Sequence, residues 1–252
     1  MSGPSAKDHY SYSLYADPTT ARTFDDRRFG GPIGDLVAAG QADVLLRFVG
    51  PVEGRRLLDV GTGTGRAALL LARQGGAVTG IDPSSEMLAV ARRRAAEEGA
   101  AIDFCEGDAH ALGFPDRSFD VVVSLRVLMH TPQWRTCLSE YCRVASDRVV
   151  IDYPSITSTA AIQSAWRRLL HATGRPTEPY RVIADSQVRD VLDRAGFRIR
   201  EMHRQFVLPI AVHKALGSRR FTTTSEAVLR GVGLTTLIGS PVTLVAERCA
   251  RS

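Results

Sequence analysis

The sequence predicts an α/β fold in which a doubly wound, mostly parallel sheet carries helices on both faces. Three observations lead there. From Arg55 to Val150 short β-branched runs alternate with stretches of helical periodicity. The string Leu57-Leu58-Asp59-Val60-Gly61-Thr62-Gly63-Thr64-Gly65-Arg66 reads as a strand entering a glycine loop that opens a helix. Two further acids, Asp82 and Asp108, stand where the next two strands should end. The 252 residues suit one large core with modest insertions rather than two full domains.

Taken in order, residues 1–50 are expected to form an appended N-terminal cover segment. It holds Tyr10, Tyr12 and Tyr15, a break at Gly30-Gly31-Pro32 and a helix from about Asp35 to Phe48. The core, residues 51–252, begins with predicted strands Arg56 to Val60, Ala77 to Ile81, Ala101 to Glu106, Phe119 to Leu125 and Arg148 to Tyr153. Between them lie predicted helices near Arg66 to Gln74, Ser85 to Glu98 and Gln133 to Ala145. The last of these aligns Trp134, Leu138, Tyr141, Cys142 and Ala145 on one face, with Thr131 placed to cap it and Pro132 in its first turn. A later helix, Ser186 to Ala195, starts behind Asp185, buries Val188, Val191, Leu192 and Ala195 and stops at Gly196. Phe197 to Leu208 and Val242 to Cys249 read as two more strands. The excursions at about 155–184 and 210–239 exceed ordinary loops and are expected to be lids or binding segments; the first holds a short helix with Ile162, Trp166, Leu169 and Leu170 on one side.

Composition narrows the function classes. The chain is 44% apolar and 23% charged, which excludes collagen-like, low-complexity and fully disordered chains. Its longest apolar runs fall far short of the roughly 20 residues that cross a bilayer, so no membrane partner is expected. Met1-Ser2-Gly3-Pro4 lacks the basic-then-apolar pattern of a secretory signal, and a cytoplasmic location follows as the expectation. Cys105, Cys137, Cys142 and Cys249 have no C-x-x-C spacing and are expected to be reduced core thiols; no metal is expected. A balance of 32 basic and 27 acidic residues is too even to argue for nucleic acid. Arg92-Arg93-Arg94 reads as a solvated face, with Arg93–Glu97 and Arg94–Glu98 as i,i+4 pairs, while Arg198, Arg200 and Arg204 leave a basic patch open.

The glycine loop carries the chemistry. Glycines let the main chain turn tightly and lie bare against a ligand. A dinucleotide fingerprint would place its third glycine at position 66, where this chain has Arg66, and Asp59 just before the loop would repel a pyrophosphate yet suit a cationic amino-acid ligand. Asp82, in Gly80-Ile81-Asp82-Pro83-Ser84, is placed to accept from both hydroxyls of a ribose, and Asp108, in Glu106-Gly107-Asp108-Ala109, from the exocyclic amine of an adenine.

These strings, with Ser85-Glu86-Met87-Leu88 and Ser118-Phe119-Asp120-Val121-Val122-Val123-Ser124, resemble the class I S-adenosylmethionine-dependent methyltransferases over about Gly30 to Tyr153. The strings Gly80 to Leu88 and Ser118 to Ser124 resemble the branch with the ubiquinone and menaquinone methyltransferases and many small-molecule tailoring enzymes. The resemblance implies a seven-stranded sheet ordered 3-2-1-4-5-7-6 with its last strand antiparallel. It also implies that Asp59 with Gly61, Thr62, Gly63 and Gly65 holds the methionine part of S-adenosylmethionine, Asp82 with Pro83 the ribose, Met87 one face of the adenine, and Asp108 with Ala109 its edge. Leu125 and Arg126, after the fourth strand, join the cofactor-binding set, Arg126 facing either the cofactor carboxylate or an anionic substrate; Arg28, with Tyr12 and Tyr15, belongs to the cover.

Methyl transfer is an in-line displacement, so the protein must mainly hold a nucleophile about 3 to 3.5 Å from the methyl carbon. A base is needed only for a protonated acceptor, and His130, after the fourth strand, is the candidate. The reading is a methyltransferase of a small organic acceptor, O-methylation favoured. C- or N-methylation, an RNA or protein acceptor, a non-catalytic cofactor-binding subunit and a nicotinamide dehydrogenase are the alternatives; a homo-oligomer is compatible with the sequence.

Overall fold

The computed structural model describes residues 18–161, 164, 165, 167 and 180–250. Seven strands form one sheet: β1 (Arg56–Val60), β2 (Ala77–Asp82), β3 (Ile102–Glu106), β4 (Phe119–Ser124), β5 (Ala145–Tyr153), β6 (Phe197–Phe206) and β7 (Ser240–Arg248). Their order is β3-β2-β1-β4-β5-β7-β6. The first five run parallel, and β7 pairs antiparallel with both β5 and β6. The expected doubly wound sheet is therefore present, in the expected order.

Parity along the central strands explains the two layers. Leu57, Val121, Val123 and Val150 face one side, where α2 (Gly31–Val49) and α3 (Arg66–Arg73) supply Leu45, Phe48, Ala68 and Leu71. Leu58, Val60, Val122 and Ile151 face the other, against Leu138 and Tyr141 of α5 (Trp134–Val144) and Val188 and Leu192 of α6 (Asp185–Arg194). A strand covered on both faces presents apolar side chains to both layers, which is why Leu57-Leu58 and Val121-Val122-Val123 read as continuous runs. The chain winds outward through β1, β2 and β3, then returns to place β4 beside β1. Crossovers on either side of that switch diverge and leave a crevice at the carboxyl ends of the two strands.

Helix α1 (Pro18–Phe29) packs on α2 and on α4 (Ser85–Glu98), with Ala21 and Phe24 against Met87 and Val90. Gly30 separates α1 from α2. Pro32 sits in the first turn of α2, where its fixed φ suits a helix start, so that helix begins at Gly31 rather than near Asp35. Tyr12 and Tyr15, and the predicted helix with Ile162, Trp166, Leu169 and Leu170, lie outside the described residues. The base of that excursion is closed by a parallel bridge, Ser155 to Ile183. The segment between β6 and β7 folds into α7 (Ile210–Leu216), α8 (Arg219–Gly231) and α9 (Leu234–Ile238).

Several local expectations are corrected. Thr131 does not cap α5: its Oγ1 donates to the Val127 carbonyl and closes a 3₁₀ turn, Leu128–His130, leaving Pro132 outside the helix and Gln133 at the cap position. Asp185 is the first residue of α6, and its carboxylate accepts from the Tyr153 hydroxyl and pairs with Arg204. Strand β6 stops at Phe206 because the amides of Val207 and Leu208 donate to Glu226 instead of to the sheet. Arg94 turns away from Glu98 to pair with Asp25, Arg73 takes Glu98, and only Arg93–Glu97 keeps its expected i,i+4 pair. The late-strand arginines make no common patch: a bulge between Ile199 and Glu201 breaks the alternation, Arg200 pairs with Glu247 and Arg204 with Asp185. Cys137 and Cys142 are core thiols, whereas Cys105 and Cys249 are exposed.

Candidate cofactor and acceptor site

The crevice at the ends of β1 and β4 opens into a pocket. The loop between β1 and α3 forms its floor, with positive φ at Gly61, Gly63 and Gly65. Gly61 is required twice over: its φ is 70°, and a Cβ there would lie 2.3 Å from Val127 Cγ2. The turn is held from within. Gly61 N and Thr62 N both donate to the Ile81 carbonyl at 2.8 and 2.9 Å, Gly65 N donates to the Thr62 carbonyl, and Gly63 N donates to Asp82 Oδ2 at 2.9 Å.

Two carboxylates frame this floor. Asp59, 2% exposed, accepts from Thr62 Oγ1 at 2.7 Å. Asp82, at the end of β2, accepts from Gly63 N through one oxygen and from Ser84 N through the other. Burial pushes the pKa of each up to about 6, against hydrogen bonds that favour the charged form, and the Asp82 charge adds a little to the rise at Asp59. Beside them Met87, held in the first turn of α4 by the Ser84 cap, presents a buried side chain to the pocket. Pro83 and Ala109 line the same side, with Arg28 on α1 and Leu125, Arg126 and His130 after β4 completing the wall.

Twelve of the fourteen residues expected from sequence line this pocket. Gly65 and Asp108 do not. Gly65 lies at the start of α3, against Ala91, and serves the turn rather than the pocket surface. One Asp108 oxygen is engaged by the His110 amide at 2.9 Å and by His110 Nδ1 at 2.7 Å, in the turn after β3.

Other contributors are hidden in the sequence. Ala38, Gln41, Ala42 and Leu45 line the pocket from α2, spaced i, i+3, i+4 and i+7 on a helix already expected there. Asp25 on α1 accepts from Thr64 Oγ1 at 3.1 Å and pairs with Arg94, and Arg66 stacks over the Phe29 ring at 3.5 Å, so α1 is fastened across the glycine loop. Asp152, buried at the end of β5, accepts from the Arg126 amide and holds that residue at a φ of 65°. Burial raises the Asp152 pKa and the Arg126 charge opposes the rise.

This arrangement selects among ligands. Four of the five loop amides, at positions 61, 62, 63 and 65, are committed to protein acceptors, so the loop lacks the set of outward amides that cradles a pyrophosphate. Two carboxylates face the ligand instead, an environment that repels phosphate and favours a cation bearing hydroxyls. The loop, the paired acids and the buried methionine thus fit an adenosyl sulfonium. Among the described residues there is no cluster of three metal-ligating side chains, and no helix is long and apolar enough to cross a membrane.

Comparisons with known proteins agree with that geometry. A family described as a methyltransferase domain matches residues 58–150. A ubiquinone biosynthesis O-methyltransferase of Paramagnetospirillum magneticum is 43% identical over 93 residues, 37% of this chain and 36% of that protein. A demethylmenaquinone methyltransferase of Thermus thermophilus is 39% identical over 105 residues, 40% of this chain and 48% of that protein. The chain thus spans less than half the length of these two relatives. Among solved structures, the magnesium protoporphyrin IX methyltransferase of Synechocystis PCC 6803 with bound S-adenosylhomocysteine superposes with a TM-score of 0.63 at 19% identity, covering 94% of this chain and 99% of that one. At that identity the likeness establishes the fold.

Proposed function

We propose, from the premise that residues 58–150 are a class I methyltransferase domain, that this chain binds S-adenosylmethionine and moves its methyl group to a small organic acceptor, with oxygen as the favoured acceptor atom. The observation that carries the reading is the pairing of a self-satisfied glycine loop with two buried carboxylates, Asp59 and Asp82, at one pocket. The cofactor, when bound, supplies a methyl group on a cationic sulfur.

The chain's own residues have three tasks. Asp59 faces the positive charge of the amino-acid part, and Asp82 accepts from the ribose hydroxyls. Gly63, whose side-chain position is open, lets the ligand lie against bare backbone. Phe24 and Phe29 of α1 and Leu45 of α2 line the pocket with apolar surface and would limit water at the reacting centre. His130, at the end of the 3₁₀ turn and on the pocket wall, takes the proton from a hydroxyl acceptor. Helices α1 and α2 act as the cover. Arg126 assists at the carboxylate of the cofactor.

The relatives' names support a small acceptor. The direct test is isotope transfer from methyl-labelled S-adenosylmethionine to a panel of phenols, carboxylic acids, amines and activated carbons. Label on an oxygen supports the full reading, and label on nitrogen or carbon retains the enzyme and replaces the acceptor atom. No transfer to any class, with the cofactor bound tightly, contradicts it.

A further inference from the structure

We propose that the helical insertion between β6 and β7 is a docking face for an anionic lipid surface. The inference does not depend on the methyl-transfer reading.

Helix α8 is folded inside out. A helix packed on a core normally buries its apolar stripe, yet α8 buries Thr222 and Glu226 and exposes Phe221 and Val228, 39% and 61% accessible. Val232, just beyond its end, is 67% accessible and continues the same line at i, i+7 and i+11. This orientation is fixed by a satisfied polar interior. Glu226 accepts from the amides of Val207 and Leu208 and meets His213 Nε2 at 3.0 Å, while His213 Nδ1 meets Thr222 Oγ1 at 3.1 Å. Turning the apolar stripe inward would strand all of these groups. The flanking helices carry further exposed apolar side chains, Val212 and Leu216 on α7 and Leu237 on α9. Among the described residues, Ile156 is the one exposed large apolar side chain outside this insertion.

Charge selects the occupant. Between residues 207 and 239 the cations are Lys214, Arg219, Arg220 and Arg230, all exposed, and the single acid, Glu226, is buried. A second copy seated on this face by a two-fold axis would bring like-charged rims together. An anionic bilayer instead offers phosphate to the exposed cations of the insertion and acyl chains to its exposed apolar side chains. Such a face lies on the surface and needs no spanning helix. Because α7 and α8 pack on α2, and the Lys214 amine donates to the Arg28 carbonyl, a bilayer held there sits beside the wall of the pocket.

The test is co-sedimentation of the full chain with vesicles of equal parts phosphatidylglycerol and phosphatidylcholine, against phosphatidylcholine alone. Binding to the anionic vesicles only, reversed by high salt, is expected. The pair Arg219→Ser and Arg220→Ser should weaken it about 25-fold, about fivefold for each charge removed near the surface. Phe221→Ser with Val228→Ser should weaken it at least about tenfold; the arginine pair should keep the wild-type melting temperature, and Val228→Ser with Val232→Ser, at positions 61% and 67% exposed, should weaken binding while leaving the packing of the Phe221 ring on His213 intact. No binding to anionic vesicles, or equal binding by all three variants, overturns the proposal. So does a dimer in light scattering that the Phe221→Ser and Val228→Ser pair dissolves without any vesicle binding, which would give the face to a second copy.

Discussion

Acidification from about pH 8 to about pH 5 is expected to weaken S-adenosylmethionine binding by about tenfold for each cradle acid, and by about a hundredfold if both titrate. Burial lifts Asp59 and Asp82 from 3.8 to about 6 in the free protein. A cation beside Asp59 and hydroxyl donors on Asp82 favour the charged form, so binding returns both groups toward the ordinary carboxylate range and expels their protons. At about pH 5 roughly nine-tenths of each acid carries a proton when free and roughly a tenth when bound, which sets the tenfold figure. For folding, the sign is the opposite of the usual acid. A raised carboxyl pKa contributes stability that is fully present below 3.8 and lost as pH rises through about 6, a strain of about 3 kcal/mol per acid at neutral pH. Asp82→Asn relieves that strain but turns an amide NH₂ toward Gly63 N or Ser84 N, at a cost of about 1 to 3 kcal/mol. Its melting temperature at neutral pH should therefore be equal to or above that of the wild type while its cofactor affinity falls. Calorimetry in two buffers of different ionisation enthalpy reads the protons directly. A flat affinity across this range, with no proton release, would refute the reasoning.

Replacing His130 with Ala should leave cofactor affinity unchanged and lower turnover about 10²- to 10⁴-fold with a hydroxyl acceptor; unchanged turnover would remove it as the base. In Gly61→Ala the new methyl would lie 2.3 Å from Val127 Cγ2 at a φ of 70°, so urea unfolding should register a loss of about 2 kcal/mol or more. Asp25→Ala removes the acceptor of Thr64 Oγ1 and the partner of Arg94. Stopped-flow measurement should find cofactor dissociation several-fold faster with the fold intact, and an unchanged rate would mean that α1 does not act as a cover.

The central sheet was legible because a strand covered on both faces presents apolar side chains to both layers, and Leu57-Leu58 and Val121-Val122-Val123 satisfy that without help from distant residues. The glycine loop was legible for a similar reason: its backbone geometry excludes side chains locally, and the acids at 59 and 82 follow from strand ends. What escaped depends on which of several available partners a side chain takes, near or far along the chain. Thr131 and Asp185 look like helix caps until Val127 on one side, and Tyr153 with Arg204 on the other, draw their side chains away. Arg94 fits an i,i+4 pair until Asp25, 69 positions earlier, takes it. The α2 residues on the pocket wall are small and apolar, and nothing in Ala38 or Ala42 distinguishes lining a ligand from packing against a sheet. The inverted polarity of α8 shows only once burial is known, since Phe221 and Val228 are just what a core-facing stripe would contain.

On the proposed reading, the loop after β1 and the acids at 59 and 82 form one cradle for an adenosyl sulfonium. Titration calorimetry of the purified chain with S-adenosylmethionine, S-adenosylhomocysteine and a nicotinamide dinucleotide tests it most directly. Saturable heat with the first two and none with the third is the expected result. Saturation by the dinucleotide, with silence from both adenosyl compounds, would contradict it.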